Sequence, residues 1–332
     1  MNILSLFDGM SCGQIALNRL GLKIDNYFSS EIEKSPQNVT RYNFPNTNFL
    51  GDVRLVDVST LPKIDLLIGG SPCQSFSFAG KRLGMSTKSK EEIYSLDRYL
   101  ELKNEGFEFE GQSYLFWEYM RILIDLRKIN PNIKFLLENV IMTKKWEKVL
   151  SSAIGVPSFE INSNLVSAQN RRRLYWTNIS NNLKQPKNKN IFLEDILENL
   201  SFPNKATILG RRLGEDGKRK DNDKSIPITQ CLEVRDTNRH KSNCLTTVSK
   251  DNVLTTLPIG RHPGVYTNKL PYRNYTCVEC ERLQTVIDNY TQFGIDINGK
   301  KVVISDSARR KMLGNGWTVE VIVHILSYFK NV

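Results

Sequence analysis

The sequence predicts an α/β fold: a Rossmann-like domain built on a parallel sheet, with a small domain inserted into it. Three observations carry this expectation. Short apolar runs at residues 2–7, 24–30, 64–68 and 133–137 have the length of buried strands, and helical spacings separate several of them. The first run enters Asp8-Gly9-Met10-Ser11-Cys12-Gly13 and then the spacing Ile15, Leu17, Leu20, which is the strand, glycine turn and helix of a cofactor-binding unit. Near residue 180 the texture changes to Asn/Lys-rich turns, and it reverts near 272. The expected division is therefore 1–179 with 272–332 for the large domain and 180–271 for the small one.

Composition narrows the class. At 332 residues the chain can bury a large core and carry a second, smaller domain. No run approaches the roughly 18 apolar residues of a membrane span, and Met1-Asn2-Ile3-Leu4 enters a strand pattern directly, without the features of a signal peptide. The expectation is a soluble cytoplasmic protein of a bacterial or phage-infected cell, with no membrane partner. The six cysteines, Cys12, Cys73, Cys231, Cys244, Cys277 and Cys280, are scattered and suggest reduced thiols. Cys277 and Cys280 form a CxxC without a second pair, so no metal site is expected. The net charge of +11 points to a polyanionic partner. Residues 181–270 carry 16 Lys+Arg against 10 Asp+Glu and so supply six of the eleven excess positive charges, which marks this segment as the nucleic-acid-facing one.

Taken in order, the second strand-like run ends in Glu31, about 20 residues beyond the first turn and suitably placed for ribose hydroxyls, and Asp52-Val53 follows a third run at Phe49-Leu50. The run Ile64–Ile68 is expected to stop at Gly69-Gly70-Ser71-Pro72, which delivers Cys73 at the carboxyl edge of the sheet, where open α/β sheets place their chemistry. A cysteine there can serve as a nucleophile when cations or backbone N–H groups favour its thiolate. The loop Gln74–Arg82 follows, with Lys81 and Arg82 suited to phosphates. Residues 84–112 are polar and Lys/Glu-rich, and their composition suggests a solvated surface element. Residues 113–128 show helical spacing of core residues, and the run Ile133–Leu137 is followed by Glu138-Asn139-Val140. A carboxyl group at the end of a hydrophobic strand is partly desolvated, the condition under which it can hold a proton near neutral pH.

A helix is expected around 144–152, then strands at 159–166 and 174–179 flanking Ser167-Ala168-Gln169-Asn170-Arg171-Arg172-Arg173. Beyond residue 180, Arg211-Arg212 and Lys218-Arg219-Lys220 alternate with short apolar runs, which suggests a small folded domain.

Pro72-Cys73-Gln74 resembles the nucleophile motif of the C5-cytosine DNA methyltransferases, and further motifs occur in that family's order. Ser5-Leu6-Phe7-Asp8-Gly9 resembles its first motif, with Ser11 where a second glycine is usual, a departure shared by the animal de novo branch. Glu138-Asn139-Val140, Gln169-x-Arg171-x-Arg173, Arg273 to Gln284 and Leu313-Gly314-Asn315-Gly316-Trp317-Thr318-Val319 resemble four later motifs. In motif texture the chain is similar to prokaryotic and phage enzymes of this family; residues 84–112 and 180–271 lie outside the match.

The resemblance implies an S-adenosylmethionine-dependent methyltransferase domain with an inserted target-recognition domain, acting on double-stranded DNA, with a monomer as the expected state. It implies catalytic roles for Cys73, Glu138, Arg171 and Arg173: thiol addition to C6, proton donation to N3, support of the loop and contact with the pyrimidine carbonyl oxygen. It implies a cofactor pocket of Phe7, Asp8, Gly9, Glu31, Asp52, Val53, Pro72, Asn315 and Trp317. DNA contacts are expected from Gln74, Ser77, Lys81, Arg82, Arg211, Arg212, Thr246 and Thr247, Thr246-Thr247 matching a recurring landmark of the family's recognition region. Two alternatives share the core. A tRNA cytosine methyltransferase would carry a Cys-Phe-Thr signature, which is absent here, and a non-catalytic DNA-binding regulator would have lost catalytic groups that are present.

Overall fold

The computed structural model describes residues 1–72, 85–216, 218–234, 241–247, 252–263 and 270–331. Cys73, Gln74, Ser77, Lys81 and Arg82 lie outside the described residues.

The chain begins with β1 (Asn2–Leu6), α1 (Cys12–Arg19), β2 (Asn26–Ser30), α2 (Lys34–Asn43), β3 (Asn48–Phe49) and β4 (Leu66–Gly70). After α3 (Leu96–Asn104) and α4 (Phe116–Ile129) come β5 (Lys134–Val140), α5 (Lys144–Ile154), β6 (Phe159–Asn162) and β7 (Arg172–Thr177). These strands form one sheet in the order β3-β2-β1-β4-β5-β7-β6. The first five are parallel, and β7 runs antiparallel to both of its neighbours.

Alternation along the strands divides the core into two layers, because successive side chains point to opposite faces. Ile3, Leu66, Ile68, Leu136 and Tyr175 face one side. Leu4, Leu67, Phe135, Leu137 and Trp176 face the other, where they meet Phe116, Trp117, Met120 and Leu123 of α4. The C-terminal elements complete the first layer: α6 (Cys277–Leu283) and α8 (Val319–Ser327) belong to it, and α8 packs on α1.

Gly69 and Gly70 continue β4 instead of ending it, pairing with Leu6 and Glu138. The main chain of both remains satisfied by neighbouring strands, so the break falls at Ser71-Pro72. Residues 85–112 are likewise more than a solvated decoration. Met85, Ile93, Tyr99 and Leu102 are buried in the α4 layer, and Tyr99 Oη donates to the buried Glu118 carboxylate at 2.6 Å. Lys103 and Arg121 pair with the same carboxylate at 2.6 and 2.7 Å, so the polar composition hides one buried ionic anchor.

The second sheet is antiparallel, ordered β11-β9-β8-β10-β12. It comprises β8 (Asn204–Arg212), β9 (Ile228–Val234), β10 (Val253–Thr255), β11 (Gly260–Pro263) and β12 (Tyr272–Asn274), over a small core of Ala206, Ile208, Leu232, Val234 and Val253. β12 places residues 272–274 in this sheet, while Leu193, Ile196 and Leu197 pack in the large core. The chain then forms α6, a hairpin of β13 (Phe293–Ile295) and β14 (Lys301–Val303), α7 (Asp306–Asn315) and α8. Among the described residues no helix is long and apolar enough to cross a membrane.

Candidate active site

The sheet order reverses between β1 and β4, and a cavity of about 660 Å³ opens at the carboxyl ends of those strands. This is where an open parallel sheet leaves a crevice, and the volume suits a cofactor-sized ligand. Its lining includes Phe7, Asp8 and Gly9 after β1, Glu31 after β2, Asp52 and Val53, Pro72 after β4, Glu138, Arg171 and Arg173, and Asn315 and Trp317. The structure thus brings together every described residue expected in catalysis or cofactor binding.

The turn after β1 is held from below. The Asp8 carboxylate accepts hydroxyls from Ser5 (2.5 Å), Tyr27 (2.7 Å), Ser29 (2.9 Å) and Ser11. Burial pushes the Asp8 carboxyl up from its ordinary value, while these four donors oppose the shift. Gly9 and Ser11 are both left-handed, with φ of 58° and 61°. A non-glycine residue there costs on the order of 1–2 kcal/mol, which the Ser11 hydroxyl offsets by donating to Asp8. The departure from a second glycine is therefore accommodated without changing the turn. Gly9 N–H donates to Glu31 Oε2 at 2.9 Å, and Glu31 Oε1 accepts from Ile32 and Glu33 N–H at 2.7 and 2.8 Å. Burial raises the Glu31 carboxyl as well, against those three donors. The Asp52 carboxylate accepts from Arg54 N–H at 2.9 Å and pairs with its guanidinium, which holds it below the usual carboxylate range.

Glu138 lies in β5 on the α1/α8 face and is 8% exposed. Arg173 Nε stands 2.9 Å from its Oε1, and Trp317 Nε1 donates to Oε2 at 3.2 Å. Asn139 Nδ2 donates to Ser71 Oγ at 2.9 Å and to Ser71 O at 3.3 Å, which fixes the main chain two residues before Cys73. Arg171, immediately before β7, donates to Leu245 O (3.0 Å), Gly314 O (3.3 Å) and Gly316 O (2.8 Å). Its single guanidinium thereby ties the large domain, the turn at 314–316 and the inserted segment together. Gln169 accepts Leu245 N–H at 3.2 Å and donates to Leu283 O at 2.7 Å.

Sequence reasoning gave Gln284 only as the end of a motif, without a role, and missed the place of Cys244. Gln284 donates to Leu313 O (2.6 Å) and Gly316 O (3.2 Å), which joins the end of α6 to the turn before α8. Cys244 Sγ lies 3.3 Å from Arg171 Nη1 and 3.7 Å from Arg173 Nη2. Burial alone would raise this thiol, but the two guanidiniums bring it below its ordinary value. No local pattern marks Cys244, since its partner Arg171 lies 73 residues away in sequence.

The expected DNA contacts separate. Arg211 pairs with the buried Glu233 of β9 at 2.7 Å, and Arg212 donates to Ile226 O in the turn that precedes β9. Thr246 and Thr247 are exposed beside the active-site turn. A Cβ on Gly314 would lie 2.5 Å from Thr246 O, so only glycine permits this approach.

The fold and this cavity define a Rossmann-like α/β sheet with a crevice at its switch point, accompanied by a separate antiparallel sheet. The family model for C-5 cytosine-specific DNA methylases matches residues 1–331, and the chain belongs to that family. It is 28% identical over 185 residues to type II methyltransferase M.NgoBV of Neisseria gonorrhoeae, a match covering 53% of this chain and 41% of that protein. It is 30% identical over 196 residues to orphan methyltransferase M.SPRI of Bacillus phage SPR, covering 55% and 38%. The matched part thus spans about two fifths of these curated relatives. Among solved structures, the Entamoeba histolytica methyltransferase EhMeth superposes with a TM-score of 0.63 at 12% identity, covering 100% of this chain and 98% of that one, a likeness of fold.

Proposed function

We propose that the protein methylates C5 of cytosine in double-stranded DNA, using S-adenosylmethionine. The observation that carries this reading is the placement of Glu138 in the wall of the cavity that begins at the Gly9 turn and includes Pro72, the residue covalently joined to Cys73. A general acid, the approach to a thiol and a cofactor-sized space thus converge on one crevice.

The residues present fit the cofactor. Among the described residues, Gly9 and its two chain neighbours aside, no atom lies within 4 Å of where a Cβ on Gly9 would stand, so the bare turn leaves room for a ligand against the backbone. Glu31, Asp52, Val53, Asn315 and Trp317 would line its binding site. When bound, S-adenosylmethionine supplies the electrophilic methyl group.

The chain's own residues then have distinct tasks. C5 of cytosine is a weak nucleophile. The Cys73 thiolate adds to C6 while Glu138 gives a proton to N3, so that the electron pair is delivered to C5 as an enamine. Arg173 stands beside Glu138, where it can reach the pyrimidine carbonyl oxygen, and Arg171 holds the surrounding turns. After methylation, loss of the C5 proton expels Cys73 and restores the ring. Because a stacked base shields C6 from the thiol, the target cytosine is flipped out of the duplex at a cost of a few kcal/mol. The antiparallel domain then supplies sequence choice, and a cytoplasmic setting is consistent with a DNA substrate.

Bisulfite sequencing of DNA from cells expressing the protein tests this reading. Methylated cytosines at one recurrent sequence, absent from cells expressing Cys73→Ala, are the expected result. Methylation confined to RNA would transfer the reading to the tRNA alternative.

A further inference from the structure

Glu138 is gripped at both carboxyl oxygens by donors from different parts of the chain. Oε1 faces Arg173 of β7, and Oε2 accepts the indole N–H of Trp317, which immediately precedes α8's N-cap. We propose that Trp317 is a positioning residue for Glu138: its N–H fixes the rotation of the carboxyl group and so decides which oxygen faces the target base. The proposal rests on the methyl-transfer reading above.

Three features single out the N–H from the bulk of the ring. The terminal torsion of a glutamate is broad and poorly restrained by packing, so a carboxyl group needs a donor on each oxygen to hold one plane. A buried indole N–H in turn needs an acceptor, and here the acceptor is the Glu138 carboxyl group itself. The contact also dictates the backbone beneath it. A Cβ on Gly70 would lie 2.8 Å from Trp317 Nε1 and 3.0 Å from Glu138 Oε2, so the last residue of β4 must be bare for the two groups to meet.

The tryptophan is itself immobilised. Its carbonyl lies 3.7 Å from Cys12 Sγ, and the Gly316 carbonyl before it accepts from Arg171 and Gln284. The indole can therefore transmit the position of the turn at 314–316, part of the cavity wall, to the carboxyl group.

Trp317→Phe tests this, since phenylalanine keeps an aromatic ring while losing the donor, and the loss of ring volume that accompanies it is separated out by the double-variant comparison below. The expected result is a single-turnover methylation rate, measured at saturating S-adenosylmethionine so that any change in cofactor binding is removed, reduced by about 10-fold, the usual effect of losing one hydrogen bond to a charged group. In a Glu138→Gln background the same substitution should have almost no further effect, as expected for two residues acting as one unit. Equal losses in both backgrounds would reassign Trp317 to packing and overturn the proposal, as would a wild-type rate in Trp317→Phe.

A second measurement is independent of turnover. In protein labelled with 15N-tryptophan, Glu138→Gln should shift the indole N–H resonance that Trp317→Phe removes. An unmoved resonance would refute the contact even if methylation proceeds. A shifted resonance in a protein that methylates no cytosine would instead uphold the contact and overturn both the functional reading and the proposed role in it.

Discussion

Arg173 Nε and Glu138 Oε1 face each other at 2.9 Å across the antiparallel seam between β7 and β5. Both side chains are largely withdrawn from solvent, at 15% and 10% exposure, so the pair keeps its orientation where water would otherwise screen it. Glu138→Gln preserves the shape and removes the acid. It should lower the single-turnover rate by roughly 10²–10⁴-fold, the usual contribution of a general acid, while DNA and cofactor affinities stay near wild type. An unchanged rate removes Glu138 from the mechanism.

The nucleophile can be tested directly. Replacing the hydrogen on C5 of the target by fluorine blocks the elimination that frees the enzyme. Duplex DNA with 5-fluorocytosine at the mapped site should therefore accumulate an adduct resistant to denaturation when S-adenosylmethionine is present. Cys73→Ala should abolish the adduct and retain DNA binding, because phosphate contacts dominate affinity. An adduct surviving in Cys73→Ala would assign the thiol to another cysteine.

Arg171 holds Leu245 O, Gly314 O and Gly316 O with one planar fork. An ammonium group cannot span all three directions. Arg171→Lys should thus destabilise the protein by about 2 kcal/mol in urea denaturation, a typical value for lost hydrogen bonds from a charged donor, and slow methylation as well. A variant as stable as wild type would show that the three carbonyls are satisfied without the guanidinium.

Glu279 supplies a pH-dependent test. It completes the capping box of α6 with Thr276 and receives both Nη groups of Arg273 at 2.7 Å. Burial opposes its charge, but Arg273 and the Thr276 and Glu198 N–H groups outweigh that and lower its pKa below the ordinary 4.5. A depressed pKa adds stability above the unfolded-state value and loses it as pH falls through the folded-state value. Glu279→Gln should therefore cost about 1–3 kcal/mol at pH 7 and progressively less below pH 4.5. A difference that stayed constant down to pH 3 would show that the charge contributes nothing.

Much of the site was legible locally. Strand lengths, the Gly9 turn and the residues just beyond each strand are set by apolar runs and by backbone constraints that act over a few positions, so Glu31, Glu138 and Pro72 could be placed from the sequence. The buried anchor at Glu118 was not legible, because Tyr99 and Lys103 become its partners only when α3 lies on α4, although its pairing with Arg121 is the local i,i+3 kind. The surroundings of Arg211 and Arg212 were not legible either: a basic run has the same composition whatever its charges meet within the chain, and here they meet Glu233 and a backbone carbonyl.

The sequence by itself determined the α/β class, the order of the motifs and the chemical groups at the strand ends, since periodicity and turn chemistry act within a few residues. Only the tertiary structure decided how those groups are oriented. Trp317 is 179 residues from Glu138 and Cys244 is 73 from Arg171. Such pairs are fixed by the packing of α8 against α1 and by the contact of residues 241–247 with β7's approach, and no local preference encodes a distance between elements that meet only after the core has formed.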